Sequence, residues 1–365
     1  MNSLLLAGAD MITSIGMGAE MVNGSVRAEI NRYAQTDIIG HDDDPVRMSL
    51  VPQMALDSVD IPQFNNTFDT RQRRLLRLAI LGIQKLRPLL PDAPLPLFMA
   101  GPEPYVSMSG VNQVFIKSLA EYAQLKIDLR QCRISNTGRA GGLQMIDTAF
   151  KYFASTGAHY ALVGGVDSYY DFLLMSYLEE NARLLKNTTL DGFVPGEGAG
   201  FLLLVSPNAP EEIRQQASAC LQSPGIAREK DNLLNETVTH NGGLGQALTQ
   251  ALEQAQQPIG QLYSSDNGER YFARELSTAL VRNPHSSIKG EYPVCRPAEF
   301  FGDLGAAFGP VAIGIASMDM KKRHNAASLV ACSSDSGSRA ALYMEPVVKT
   351  EKKSHHTALQ HNVFA

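Results

Sequence analysis

The sequence predicts an α/β protein in which one structural unit occurs twice. Three observations carry that expectation. Short apolar runs of strand length alternate with helical segments along most of the 365 residues. A glycine-rich turn, helix and apolar strand in the first half, TGRAGGLQMIDTAF then HYALVGG, is answered in the second by FGDLGAAFGPVAIGIA then ASLVACSSDSG. Hydrophobic residues make up 44% of the chain with no low-complexity tract, which is enough apolar material for a packed core.

Each element has its own signal. Ser3 to Gly8 is apolar throughout and reads as a buried strand, with Gly16 to Arg27 as the helix after it. Residues 33 to 66, rich in Asp, Pro and Asn, read as a surface excursion. Thr70 to Arg87 places Leu75, Leu78, Ala79 and Gly82 on one helical stripe, and Pro88 stops it. A strand at Leu97 to Ala100, a helix at Val111 to Ala123 and a strand at Leu129 to Ser135 lead into the glycine-rich turn. A helix near Leu143 to Ala154 follows it. Tyr160 to Val163 is a strand expected to end at a Gly164-Gly165 turn, and Gly198 to Val205 is another strand. The second half reads as strand Gln261 to Tyr263, helix Glu269 to Val281, strand Tyr292 to Cys295, helix Leu304 to Met318, and strands Ser328 to Cys332 and Arg339 to Met344.

Charge and composition exclude several functions. A formal net charge of −5, with basic residues scattered rather than striped, leaves no electrostatic footprint for nucleic acid. Cys132, Cys220, Cys295 and Cys332 are widely spaced with no C-x-x-C pair, which suggests neither a zinc site nor a disulfide framework and fits a reduced cytoplasm. Leu4 to Ala9 is too short for a signal peptide, and no run approaches the ~18 apolar residues of a membrane helix, so an unexported protein without a membrane partner is expected. The tail 349–365 is expected to be mobile; its His355 and His356 are either a metal pair or, on the plainer reading, solvated residues. His159 reads as leading into a strand and His240 as part of a turn. No cofactor is expected.

The segment DGFVPGEGAGFLLL, Asp191 to Leu204, resembles the signature of the beta-ketoacyl synthases, in which a Gly196-Glu197-Gly198 turn leads into a buried strand. Its company makes the resemblance specific. AHYALVGGVDS with Gly164 and Gly165, SLLLAGADMITSIGMGAE at the start, RQRRLLRLAILGIQ, YLEENARLL and FGDLGAAFGPVAI occur in the family's order and spacing over residues 1 to 346. The resemblance implies a thiolase-like, five-layered αβαβα fold built from two duplicated halves, here 1–205 and 206–348 ahead of the tail 349–365. It also implies a homodimer or heterodimer, because in that family the strand leading to the nucleophile turn helps form the dimer interface.

A ketosynthase needs a thiolate at a helix N-terminus, two imidazoles to stabilise the enolate and oxyanion, and a supporting lysine. The resemblance puts other residues at those positions. Arg139 falls at the nucleophile, and a guanidinium cannot be one. Asn267 falls at the first histidine, Gly302 at the second and Pro297 at the lysine, while the final glycine-rich loop reads Ser333-Ser334-Asp335-Ser336-Gly337.

An arginine at a helix start has the wrong sign by a few tenths to about 1 kcal/mol, so an acid is expected beside it. Either Asp303, Asp266 or Asp335 fills the vacated pocket with an ion pair, or Arg139 holds a ligand carboxylate or phosphate such as that of a phosphopantetheine arm. Cys132 and Cys295 are either displaced nucleophiles or small core hydrophobes. Glu197 reads as support for the core rather than as an acid/base, and Asp266, Glu269 and Arg270 as a solvated helix N-terminus. The expectation is a non-catalytic, ketosynthase-like pseudoenzyme that binds a protein. That protein would be an active ketosynthase, or the client of a cytoplasmic adaptor, such as a type VI secretion effector. The rival readings are a 3-oxoacyl-[acyl-carrier-protein] synthase-type acyltransferase or decarboxylase with a variant site, and a binder of acyl chains or acyl carrier protein.

Overall fold

A computed structural model of the protein describes residues 3–61, 68–105, 110–235, 242–322 and 326–347. β1 (Ser3–Thr13) is longer than its apolar core, because its end pairs with β2 (Gly16–Met17). That pairing delays α1 (Ala19–Arg27), so the helix expected from Gly16 begins only after Gly18. The excursion at 33–66 is not structureless where it is described: β3 (Ala34–Ile39) and β4 (Pro45–Met48) form a separate hairpin, followed by α2 (Gln53–Asp57).

α3 (Thr70–Ile83) starts at a capping box in which Asp69 accepts from the Gln72 backbone at 2.7 Å and the Gln72 side chain accepts from Asp69 N at 3.4 Å. It tightens into a 3-10 turn over Gln84–Leu89 that contains Pro88. β5 (Leu97–Ala100) and the Asn112-capped α4 (Gln113–Tyr122) agree with the sequence, while β6 (Arg133–Ser135) is shorter than expected. α5 (Gly141–Thr156) is entered through a 3-10 turn at Gly138–Ala140 and ends at the left-handed Gly157.

β7 (Tyr160–Ser168) runs straight through Gly164 and Gly165, which correct the expected turn. A Cβ on Gly164 would lie 2.4 Å from the Phe201 ring and one on Gly165 2.3 Å from the Ala306 carbonyl oxygen. The glycines are there for close approach rather than for chain reversal. α6 (Phe172–Glu180), β8 (Glu197–Val205), α7 (Glu211–Arg214), β9 (Ala219–Gln222) and β10 (Gly225–Arg228) follow. The chain continues with α8 (Gly242–Leu252), β11 (Ile259–Ser264), α9 (Arg270–Arg282), β12 (Val294–Cys295), α10 (Ala298–Phe301), α11 (Phe308–Lys322), β13 (Ala327–Ser333) and β14 (Ser338–Pro346).

The large sheet has the order β12-β11-β13-β14-β9-β1-β8-β7-β5-β6. The order is a near mirror image about the β1–β9 pair. On one side β5 and β7 are parallel and β8 and β1 antiparallel; on the other β11 and β13 are parallel and β14 and β9 antiparallel. Between the two arms lie α5 and α11, whose Leu143, Ile146, Val311 and Ile315 join Val163 and Leu202 of one arm to Val330 and Leu342 of the other. Burial of every side chain from Phe308 to Ala316 suits α11 to that middle layer. α3 and α4 cover one outer face through Leu75, Leu78 and Phe115, and α8 and α9 cover the other through Leu244, Leu248 and Leu276. The result is five layers, αβαβα. The tail from 349, with His355 and His356, and His240 lie outside the described residues.

Candidate functional site

The site forms where the start of α5 meets three loops. Gly138, at φ 63, turns the chain so that Arg139 points inward, and the side chain is 1% exposed. Asp303 reaches it because the loop after α10 pairs with the segment before β8: Asp303 N donates to Val194 O at 2.9 Å and Gly196 N to Asp303 O at 3.0 Å. Asp335 reaches it from the turn between β13 and β14, whose backbone is held by Glu103. Ser336 N and Asp335 N donate to the Glu103 carboxylate at 2.7 and 3.2 Å.

Arg139 is fully engaged. Its Nε donates to Asp303 Oδ2 at 2.8 Å and Oδ1 at 3.1 Å, its Nη2 pairs with Asp303 Oδ2, and its Nη1 donates to Asp335 Oδ1 at 2.6 Å. The network continues outward. Arg183 Nη1 pairs with the other oxygen of Asp335, which also accepts from the Tyr105 hydroxyl at 2.6 Å. Arg183 in turn holds Glu269 through two bonds of 2.8 and 2.7 Å, and Asn267 Nδ2 donates to both Asp303 at 2.9 Å and Glu269 at 3.0 Å. Aromatic faces close it: the Arg139 guanidinium lies 4.9 Å from the Phe272 ring centre and 5.9 Å from Phe193, and that of Arg183 lies 5.2 Å from Phe193.

The electrostatics follow from this packing. Arg139 alone would oppose the α5 dipole, but with Asp303 and Asp335 it carries a net negative charge to the helix start, the sign that end favours. Burial would raise the Asp335 carboxyl, yet the Arg139 and Arg183 guanidinium groups outweigh it and hold it well below the usual range. Glu103 moves the other way: burial, then the charge of Asp335, push it up to about 7. The helix amide that an oxyanion would need is also taken, since Ala140 N donates to Ser334 Oγ at 2.9 Å.

The structure therefore brings together Arg139, Asp303, Asp335 and Asn267. Asp266 stands apart from Arg139; its Oδ2 accepts from Arg296 Nε at 2.8 Å. The solvated helix start expected at Asp266, Glu269 and Arg270 is corrected: Asp266 and Glu269 are buried ion-pair partners, and only Arg270 is exposed. Pro297 and Gly302 bracket α10 as its two caps, Gly302 at φ 69. Cys132 is buried on the outer side of the sheet, its thiol donating to Asp128 O at 3.3 Å and pushed up by burial, while Cys295 is half-buried on β12. His159 is exposed and immediately precedes β7.

Glu197 forms a second buried node. It accepts from Arg74 at 2.5 and 2.7 Å, from Ser168 Oγ at 2.7 Å and from Val51 N at 2.9 Å, tying β8 to β7, α3 and the segment after β4. Sequence reasoning missed Arg183, Glu103, Tyr105 and the fully buried Glu275–Arg339 pair. Arg183 lies inside YLEENARLL, but its partner Asp335 is 152 residues away, and no local pattern announces such a pair. A cavity of about 390 Å3 opens against the outer edge of the network, where Arg183 and Glu269 line it with Tyr177 and Tyr271; Arg139 does not line it. Among the described residues no group of histidine, cysteine and carboxylate side chains is arranged to hold a metal ion. Among them too, no helix is long and apolar enough to cross a membrane.

No family model matches the chain, and no curated relative matches it. Solved structures do. The ishigamide ketosynthase/chain length factor is 14% identical with a TM-score of 0.77, the match covering 95% of this chain and 100% of that one. The ketosynthase from module 6 of the bacillaene synthase of Bacillus subtilis 168 is 15% identical with a TM-score of 0.75, covering 95% and 73%. A chain from a type II polyketide synthase acyl-carrier protein in complex with its ketosynthase bound to the hexaketide is 15% identical with a TM-score of 0.72, covering 95% and 100%. The protein thus has the thiolase-like fold of the ketosynthases.

Proposed function

We propose that this protein does no acyl chemistry and works by binding another protein. The observation that carries the reading is the saturated ion-pair network around Arg139 at the start of α5. On the alignment that the resemblance implies, this is where a ketosynthase would keep an open thiol. A guanidinium with two carboxylates cannot take an acyl group, and Ser334 already occupies the helix amide. Fold does not carry activity by itself, and the same scaffold can serve as a surface.

For the partner, the sheet offers one further support. Among the described residues β6 is an edge strand, paired to β5 on one side only, and its Arg133 is exposed. Such an edge can continue its ladder into a second chain. A second copy, an active ketosynthase or the client of an adaptor would all fit there.

The test is incubation with malonyl- and acyl-loaded acyl carrier protein, followed by intact mass and carbon dioxide release. The expected outcome is an unchanged mass and no release. A covalent acyl adduct or decarboxylation above the uncatalysed level would overturn the non-catalytic reading.

A further inference from the structure

We infer that Asn267-Gly268 is a self-modification site, where the Gly268 amide closes on the Asn267 side chain, expels ammonia and leaves a carboxylate inside the ion-pair network. The inference goes beyond the proposed function and does not depend on what the chain binds. Gly268 has no side chain to shield its backbone nitrogen, is exposed to water and sits at φ 105. Asn267 beside it is half-buried, with its amide turned into the network.

Two contacts prepare the ring closure. The nucleophile, Gly268 N, donates to Asp266 Oδ1 at 3.1 Å, which puts a carboxylate within reach of the proton that must leave. The electrophile is Asn267 Cγ, whose Oδ1 accepts from Glu269 N at 3.2 Å. That bond folds the side chain back over the backbone that follows it, and places a donor where negative charge gathers on the oxygen. As the bond from Gly268 N to Cγ forms, the bond from Cγ to Nδ2 breaks, and Nδ2 leaves as ammonia with the proton from Gly268 N. Water then opens the cyclic imide at either carbonyl, giving aspartate or isoaspartate.

The consequence follows from what Nδ2 does now. It is a neutral donor between two carboxylates, giving to Asp303 Oδ2 at 2.9 Å and to Glu269 Oε2 at 3.0 Å. The product sets a third carboxylate against those two and removes the donor, while Arg139 and Arg183 are already committed. Like charges in a buried site repel, so the shell around Arg139 loosens, and because ammonia is lost the switch runs one way. Asn23-Gly24 is the internal control. The same pair lies inside α1, Asn23 is buried, and its Nδ2 donates to Asp319 at 2.8 Å. A helical side chain leans toward the preceding turn, away from the amide that would attack it.

The test is ageing of the full chain in mildly alkaline buffer, followed by digestion and peptide mapping by mass, with isoaspartate labelled by protein isoaspartyl methyltransferase. We expect Asn267 to convert at least tenfold faster than Asn23 in the folded protein, and at a similar rate to it in urea. The aged protein should unfold at a lower urea midpoint, Asn267→Asp should start near that lower value, and Asn267→Gln should lose less on ageing than the parent. Should Asn267→Asp not fold, the comparison of the aged parent with aged Asn267→Gln decides. The proposal is overturned if Asn267 persists in the folded chain while it converts in the unfolded one, or if Asn267→Asp has the parent's midpoint.

Discussion

Replacing Arg139 with alanine tests the site most directly. In the folded protein Asp303 is 3% and Asp335 0% exposed, and both face the Arg139 guanidinium. Without it Asp335 keeps Arg183 and the Tyr105 hydroxyl, but Asp303 keeps only neutral donors, Asn267 Nδ2 at 2.9 Å and Gly305 N at 2.9 Å. Removing one partner of a buried pair costs about 3–5 kcal/mol, because it strands a charge in a medium that cannot solvate it. Asp335 retains a counter-charge, so the loss falls near the lower end, about 3 kcal/mol. Equilibrium unfolding in urea reads it as a lower midpoint with an unchanged slope. The double variant Arg139→Met with Asp303→Leu removes both charges and keeps the volume, and should recover most of the loss. If Arg139→Ala lies within 1 kcal/mol of the parent, or the double variant is worse than the single, the carboxylates do not depend on Arg139 and the account of the site fails.

Other changes reach other parts of the structure. Glu103 is held at about 7, above its ordinary value, so its contribution to stability is complete below the ordinary carboxylate range and is lost as pH rises through 7. Glu103→Gln should therefore gain on the parent between pH 5 and pH 8, read as a shift in the difference of urea midpoints; a difference independent of pH would contradict it. Asp10 and Asp167, each raised to about 6 by burial first, slope the same way in both proteins and cancel in that comparison. Glu197→Ala leaves Arg74 without its carboxylate and Ser168 Oγ and Val51 N without an acceptor, for an expected loss of about 3 kcal/mol or more in the same assay. Gly165→Ala drives a methyl into the Ala306 carbonyl and should cost about 1–3 kcal/mol, whereas Gly242→Ala, with no atom of the described residues within 4 Å of the new Cβ, should be near neutral.

The alternation of strands and helices was legible because each element carries a local pattern, such as the stripe of α3 and the apolar run of β8. What was not legible depends on contacts made at a distance. Gly164 and Gly165 look like a turn in one dimension, and only Phe201 and Ala306 on neighbouring elements show why a strand needs two glycines there. The start of α1 moved because β2 pairs with β1. At the site, the sign of Arg139 at a helix start called for an acid, and two of the three candidate aspartates supply it. The third, Asp266, has its own arginine nearby in Arg296, which no spacing rule relates to it. The outer shell of Arg183, Glu269, Tyr105 and Glu103 comes from three separate segments, so its convergence is a property of the fold and not of any stretch of chain.

The position of β1 also constrains how the chain can be made. Its eleven residues lie at the middle of the sheet, flanked by β8 and β9, so beyond the short pairing of its end with β2 this strand meets its long neighbours only after about 200 further residues have been added. At roughly 5–20 residues per second that is a wait on the order of 10 to 40 seconds with most of an apolar ribbon unpaired. Native assembly is therefore late and far-reaching in sequence, which leaves apolar surface exposed on the nascent chain for that interval.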